Sequence, residues 1–151
     1  MSEVTALPLP RAVSDLPLSV GVEEEFLLVD ADTGVLVPLA GAVLGGARSA
    51  LDLQQEMTLY QVESATGVCL SMTEVREQLL AARRALAALA GPHGARIVAT
   101  GTPVLGGVRP PPLAEADRYR TIAAEYGSLI DGLTICGCHV HIGIPDEDTG
   151  V

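Results

Sequence analysis

The run LSVGVEEEFLLVD, residues 18–30, restricts the fold of this chain more than any other stretch. Its β-branched and aromatic residues predict a strand, in which successive side chains point to opposite faces. Glu24 then points with the apolar residues into the core, and Glu23 and Glu25 point to the other face. A solvated strand face would explain both acids. Leu27 lies on the same face, however, and an apolar side chain there indicates that this face is not fully exposed to solvent.

The rest of the chain predicts an α+β domain with a largely antiparallel sheet, because strands and helices do not alternate strictly. Val75, Leu79, Ala82, Leu86 and Leu89 recur at helical spacing. Ser71 and Glu74 have the spacing of a capping box, with Thr73 as a rival N-cap. The predicted elements are a hairpin with its turn at 30–34, strands at 58–69, 95–104 and 133–144, and helices at 73–90 and 113–127.

Composition excludes several classes of function. The 151 residues carry a formal charge of −10 and no lysine, which argues against a nucleic-acid partner and makes divalent cations plausible. No apolar run approaches the roughly 20 residues that cross a bilayer, and residues 1–17 resemble an extended, proline-containing arm rather than a secretory signal. Three cysteines do not form a disulfide framework, so we expect a cytoplasmic protein without membrane contact.

The stretch CGCHVHIG, residues 136–143, places two cysteines and two histidines together. A zinc site is the obvious interpretation, but alternation puts Cys136 and Cys138 on one strand face and His139 and His141 on the other. We therefore expect the cysteines to be small buried hydrophobes on the face that packs against helices. The histidines are either core residues bonded to backbone or, flanked by glycines, part of a ligand site.

Two further acids, in a later part of the chain, add to those of the first strand. Glu63 lies inside a β-rich run, where a carboxylate is unfavourable unless it meets a cation or a solvated cavity, and Glu56 precedes it by seven residues. Glutamates from separate strands together with imidazole describe an oxygen-rich site for a hard divalent ion. Mg²⁺ or Mn²⁺ fits such a site better than zinc.

Taken together, these motifs resemble a known family. GVEEEFLLVD, YQVESATGVC followed by a helix of TEVREQLLAARRALA type, GTP after the next strand, and CGCHVHIGIPD occur in the order typical of the glutamate-cysteine ligase type 2 family. That family is also called the YbdK-like carboxylate-amine ligases, and it belongs to the glutamine synthetase-like superfamily. The resemblance runs from about Leu18 to the end and implies a curved antiparallel sheet whose concave face holds ATP and divalent ions.

The resemblance also implies a reaction and the residues that serve it. ATP would drive the joining of the glutamate γ-carboxylate to an amine, typically that of cysteine, through γ-glutamyl phosphate. Matching positions imply that Glu23, Glu25, Glu63 and His139 are ligands of Mg²⁺ or Mn²⁺, with Glu56 as a further acidic ligand. His141 would face nucleotide or substrate. The resemblance assigns no nucleophile or other catalytic side chain, and it leaves the amine substrate open.

One departure concerns length. Family members run to more than twice these 151 residues. Half of a funnel-shaped sheet would leave an open edge and exposed apolar surface. We therefore expect either a homo-oligomer or association with a C-terminal half. The alternatives are a truncated remnant without chemistry or one subunit of a split ligase, which would use the open edge to bind a partner.

Overall fold

The computed structural model describes residues 18–45, 52–106, 109–132 and 134–150. The predicted arm at 1–17 lies outside the described residues. The five strands are β1 (Val20–Asp30), β2 (Asp52–Gln55), β3 (Gln61–Ala65), β4 (Ala95–Val98) and β5 (Cys138–Ile142). The helices are α1 (Ala40–Leu44), α2 (Met72–Ala90), α3 (Asp117–Tyr126) and α4 (Glu147–Gly150), with 3₁₀ turns at Gly91–His93 and Gly127–Gly132.

The strand β1 is the centre of the sheet. It pairs antiparallel with β3 over residues 23–27, with β4 over 27–30 and with β5 over 20–24. The residues of β1 that pair with β3 include some that also pair with β4 and some that also pair with β5. Since a strand has two edges, β3 lies along one edge of β1, and β4 and β5 follow each other along the other edge. β2 pairs with β3, which gives the order β2-β3-β1-β4 with β5 beside β1. The predicted α+β fold with an antiparallel sheet is confirmed.

One face of the sheet, the helix face, packs against α1 and α2. Phe26 and Leu28 of β1 lie in one buried cluster with Val43 of α1 and Leu86 of α2, at 0–2% exposure. Each such side chain contributes about 1.5–3 kcal/mol by leaving water. The same alternation places Glu24 on this face, where its carboxylate pairs with the Arg83 guanidinium of α2. The predicted inward direction of Glu24 is therefore confirmed.

The opposite face, the acidic face, carries Glu23, Glu25 and Leu27 of β1. Leu27 is covered by Leu36 and Tyr60, which form a separate buried cluster with it. Glu23 and Glu25 are half-buried. The acidic face is thus closed at the Leu27 end and accessible to solvent at the Glu23 end.

The helix α2 begins as its capping motif predicts. The Ser71 hydroxyl accepts from the Glu74 N–H at 3.2 Å, and the Glu74 carboxylate accepts from the Leu70 N–H at 2.8 Å. Ser71 is therefore the N-cap, and the rival Thr73 lies inside the helix. The α-helix ends at Ala90, and the following turn closes at Gly94, whose φ of +67° favours glycine.

Several predicted lengths were wrong. The strands predicted at 58–69, 95–104 and 133–144 are only 61–65, 95–98 and 138–142, and the helix predicted at 113–127 begins at Asp117. The second strand of the predicted hairpin is reduced to a single β-bridge between Val29 and Leu36. The helix α1 and the strand β2 were not predicted. A strand extends only as far as a neighbour offers backbone partners, and the sequence does not reveal that distance.

No helix in the described part of the chain combines the length and apolar character that crossing a membrane requires.

Candidate functional site

The strand register collects the predicted acids and histidines on the acidic face. Directly opposite residues of an antiparallel pair share a face, and Glu25 lies opposite Glu63 of β3. Glu23 lies opposite His139 of β5, and His141 lies opposite Gly21. These acidic and imidazole groups therefore come from three strands and face the same side of the sheet.

Glu23, His139 and His141 converge most closely. The Glu23 Oε2 atom lies 3.2 Å from His139 Nδ1 and 3.1 Å from His141 Nε2. One ligand atom from each of the three residues falls within 4.8 Å of the others, so the trio has the spacing of a metal-binding group. Hydrogen bonds from His141 and then His139 hold the pKa of the Glu23 carboxyl below its usual value. The trio also joins the start of β1 to β5.

Glu25 is held by the segment that leads into β5. The Gly137 N–H donates to Glu25 Oε2 at 2.9 Å, and the Glu25 N–H donates to the Gly137 carbonyl at 3.1 Å. A Cβ atom at residue 137 would lie 2.8 Å from His139 Nε2 and 3.5 Å from Glu25 Oε1. A larger residue at 137 would therefore displace the exposed His139 ring from its present position, whereas the Glu25 carboxylate would remain at ordinary contact distance.

Glu63 is the most enclosed of the acids on this face, at 7% exposure. Its Oε1 atom accepts from Gln54 Nε2 at 2.9 Å. Burial raises the pKa of the Glu63 carboxyl, and repulsion from Glu56, Glu23 and Glu25 raises it further. The charges of these three acids therefore act on Glu63.

Glu56 lies between β2 and β3 and is engaged by other groups. Its Oε2 atom accepts from the Met57 N–H at 2.7 Å and from the Tyr119 hydroxyl at 3.2 Å. Arg118 of α3 lies 3.8 Å from its Oε1 atom and stacks over the Tyr119 ring. Burial is the main cause that raises the pKa of Tyr119, which keeps this donor protonated. Sequence reasoning missed Arg118 and Tyr119, since nothing in the helix pattern indicates their acidic partner.

The expectation for the two cysteines was wrong in two ways. Cys136 precedes β5, so strand alternation does not apply to it, and it packs beside Leu27 on the acidic side. Its burial raises the pKa of the thiol to about 11. Cys138 lies opposite Glu24 and so faces the helix side, but it is exposed because the side chains of β5 are not covered.

The structure therefore groups the predicted residues unequally. It brings Glu23, His139 and His141 into contact and sets Glu25 and Glu63 across from each other on adjacent strands. Glu56 interacts with Glu63 through charge while its own contacts go to α3. His141, predicted to face nucleotide or substrate, contacts the same carboxylate oxygen as His139.

Comparison with known proteins identifies the family. The sequence model of Glutamate-cysteine ligase family 2 matches residues 19–151. The chain belongs to this family. Its motifs on β1, β3 and β5 all lie within the matched range, and the resemblance seen in the sequence is confirmed.

Relatives of the glutamate-cysteine ligase family 2 are considerably longer. A protein of Saccharopolyspora erythraea with the provisional name glutamate–cysteine ligase 2-2 is 48% identical over 141 residues, which cover 89% of this chain and 36% of the relative. A protein of Mycolicibacterium vanbaalenii with the same provisional name is 42% identical over 142 residues, covering 92% and 38%. The chain spans little more than a third of the length of these relatives.

A solved structure shares the fold. The crystal structure of a bifunctional glutathione synthetase from Pasteurella multocida superimposes with a TM-score of 0.60 at 21% identity, over 87% of this chain and 18% of that one. At this identity the likeness concerns the fold alone. The family match places this chain in a family of ligases, and the superposition shows that its fold also occurs in the glutathione synthetase.

Proposed function

We propose that this chain is the N-terminal portion of an ATP-dependent carboxylate-amine ligase of the glutamate–cysteine ligase type. In the proposed reaction, ATP phosphorylates the γ-carboxylate of glutamate. The amine nitrogen of cysteine, or of another amine, then attacks the acyl carbon and displaces phosphate. The observation that carries the proposal is the set of acids and histidines that β1, β3 and β5 direct to one accessible face of the sheet, in a chain whose family match covers residues 19–151.

The side chains on the acidic face fit a hard divalent ion. Carboxylate oxygens are the preferred protein ligands of Mg²⁺ and Mn²⁺. Burial and then repulsion from Glu56, Glu23 and Glu25 raise the pKa of Glu63, and a bound cation would relieve that repulsion. In this proposal Glu23, Glu25, Glu63 and His139 hold the ions, because these four side chains share the face. When bound, such ions neutralise charge on the transferring phosphoryl group.

Glu25 and Glu63 would present their carboxylates to an ion in different ways. Glu25 keeps one oxygen on the Gly137 N–H, and a carboxylate has a second oxygen with which to meet an ion. Glu63 is oriented by Gln54 from the neighbouring strand. Glu56 remains a further acidic ligand in this proposal, and it would exchange its contacts with Tyr119 and Arg118 for the ion.

His141 is proposed to contact the nucleotide phosphates. It extends from the same strand face as His139 and is 60% exposed, so its ring can be reached from solvent. An imidazole ring has an N–H group in both its neutral and its protonated form, so either form can donate a hydrogen bond to a phosphate oxygen. This arrangement would bind ATP phosphate in a chain that has no lysine.

Substrate binding is proposed to need more chain than these 151 residues, since the relatives are longer. The apolar side chains of β5 and the following segment support an association there, because Val140, Ile142 and Ile144 are 47–62% exposed. Either a C-terminal ligase segment or a second copy would cover them. The three free cysteines suit the cytoplasm as the proposed location.

Nucleotide binding tests the proposal directly. We expect calorimetry to detect ATP binding that requires Mg²⁺ and is weakened at least about tenfold by Glu25→Gln, since disturbing groups around a metal typically lowers affinity by this amount or more. Glu77→Gln, an exposed acid on α2, is the matched control and should leave binding unchanged. Mg²⁺-independent ATP binding, or equal binding by both variants, would contradict the site assignment.

Activity is the second arm of the test. With the C-terminal segment of the ligase supplied, release of ADP should require glutamate together with an amine, and a panel of amines that includes cysteine identifies the substrate. ADP release that proceeds equally without glutamate would refute the proposed ligase reaction.

A further inference from the structure

A cleft beside Glu56 brings an arginine to the acidic face. It has a volume of about 490 Å³, and its lining includes Gln54 of β2 and both Arg118 and Tyr119 at the start of α3. Gln54 lies opposite Glu63 and donates to its carboxylate, so the cleft opens directly beside the acids of the proposed ligase site. We infer that Arg118 binds the α-carboxylate of an amino-acid substrate in this cleft, an inference that rests on the proposed function.

The Arg118 guanidinium is oriented by its neighbour on α3. Its Cζ atom lies 4.4 Å from the centre of the Tyr119 ring, and its Nη2 atom donates to the Tyr119 hydroxyl. Tyr119 is only 5% exposed, so the ring gives the guanidinium a fixed support. Stacking of this kind holds the plane of a guanidinium while its edges stay available for hydrogen bonds.

Most of the hydrogen-bonding capacity of Arg118 is unused. Its two polar contacts, to the Tyr119 hydroxyl and at 3.8 Å to Glu56 Oε1, both involve Nη2. Within the described part of the chain, Nε and Nη1 have no hydrogen-bond partner. The side chain is 63% exposed, so a ligand can reach it from solvent. A guanidinium has five N–H donors, of which one carboxylate takes two.

The surroundings of Arg118 favour an amino acid over a simple anion. Glu115 lines the same cleft, and Glu56 contacts the guanidinium. An anion alone would meet repulsion from these acids in a chain of formal charge −10. An amino acid carries an amine next to its carboxylate. The amine offsets that repulsion while the carboxylate meets Arg118.

The metal role proposed for Glu56 leaves Arg118 available to substrate. In that proposal Glu56 exchanges its contact with Arg118 for an ion. The guanidinium would then lack the acid that it now contacts, and a substrate carboxylate would replace that acid. Binding at the two positions would therefore be mutually supportive.

Two substrates of the proposed reaction carry the group that Arg118 would recognise. Glutamate has an α-carboxylate beside its amine, and so does cysteine as the attacking amine. Removing this carboxylate from each compound distinguishes the two sources. 4-Aminobutyrate is glutamate without its α-carboxylate, and cysteamine is cysteine without it.

Saturation-transfer NMR on the unaltered chain is the first measurement. We expect glutamate or cysteine to bind at least about tenfold more tightly than its decarboxylated counterpart, because a hydrogen bond to a charged group contributes about this much. Arg118→Gln should abolish that difference and leave binding of the decarboxylated compound unchanged. Arg120→Gln is the matched control, since Arg120 lies on the same helix and pairs with Asp117. It should bind as the unaltered chain does.

Kinetics distinguish a substrate contact from a purely structural role. In the ligase with its C-terminal segment supplied, Arg118→Gln should raise the KM of the amino acid that binds in the cleft at least about tenfold. The KM of ATP should not change. Arg118→Lys keeps the charge but not the planar fork, so it should recover only part of the loss.

The inference and the ligase assignment can fail separately. Three results would overturn the inference: equal binding of both amino acids and their decarboxylated counterparts, equal losses for both classes in Arg118→Gln, or no detectable amino-acid binding to the unaltered chain. Mg²⁺-dependent ATP binding would still support the ligase assignment in that case. Conversely, amino-acid binding that depends on Arg118 in a chain that binds no ATP would keep the cleft and remove the ligase assignment.

Discussion

Replacing Glu63 by glutamine should stabilise the metal-free chain, although most substitutions at buried positions destabilise a protein. Glu63 is 7% exposed and lies directly opposite Glu25 on the adjacent strand. Its carboxyl has a raised pKa, caused by burial and by repulsion from Glu56, Glu23 and Glu25. The folded chain without metal therefore bears a cost for holding this charge.

The size of the effect follows from the pairing. A cross-strand charge pair in direct register changes stability by roughly 0.2–1 kcal/mol, and the repulsion between Glu25 and Glu63 is relieved by the substitution. Relief from the other two acids and from burial of charge adds to this. Glutamine keeps an oxygen for the Gln54 donor, so only the charge assistance to that bond is lost. We expect a net gain of about 1 kcal/mol, or about 2–4 °C in melting temperature at this chain length.

The assay is thermal unfolding in chelator at neutral pH, with Glu77→Gln as an exposed control that should change stability by less than about 0.5 kcal/mol. The advantage of Glu63→Gln should shrink as the pH falls. A carboxyl with a raised folded pKa takes up a proton in the folded state first, so the unaltered chain regains stability as pH falls towards the ordinary value of about 4.3. Added Mg²⁺ should stabilise the unaltered chain more than the variant.

Two results would refute this reasoning. A lower melting temperature of Glu63→Gln in chelator would mean that the carboxylate is held by favourable contacts that outweigh the repulsion. A gain that stays constant down to about pH 4, near the ordinary glutamate pKa, would mean that the charge of Glu63 is not its cause.

Three further changes test other parts of the structure. Leu86→Ala empties a fully buried position and should reduce the free energy of unfolding by about 2–5 kcal/mol in urea titration, whereas Leu80→Ala, half-buried on the same helix, should lose less. Gly137→Ala places a Cβ 2.8 Å from His139 Nε2 and so displaces that ring; it should weaken Mg²⁺-dependent ATP binding in calorimetry, while Gly101→Ala, which meets nothing within 4 Å, should not. Asp30→Asn should lower stability at neutral pH, because turn hydrogen bonds to the ionised carboxylate lower the pKa of Asp30. The loss should shrink as pH falls below the ordinary aspartate pKa and vanish only below the lowered pKa of the folded chain; a loss that is the same at every pH, measured by thermal unfolding, would contradict this cause.

Much of the fold could be predicted because local periodicity was clear where packing is regular. The five apolar positions of α2 recur at helical spacing, and three of them, Val75, Ala82 and Leu86, are buried. The alternation in β1 correctly separated Glu24 from Glu23 and Glu25, since a central strand keeps its pleat while both neighbours pair with it.

Alternation failed where pairing stops. Cys136 was assigned to a strand face, but β5 begins at Cys138, and the preceding residues follow a path set by Gly137 and Glu25. The exposure of Cys138 was also beyond the sequence. A residue on the helix face is buried only if a helix extends over it, and the side chains of β5 are exposed.

By itself, the sequence determined which residues share a face: Glu23 with Glu25, and His139 with His141. That knowledge is local, because the two-residue repeat of a strand depends only on its own backbone. The tertiary structure decided that Glu23 lies opposite His139 and contacts both imidazoles. Register between strands that lie far apart in the chain is fixed by long-range backbone pairing and packing, and this pairing turns a row of acids and a pair of histidines into one site.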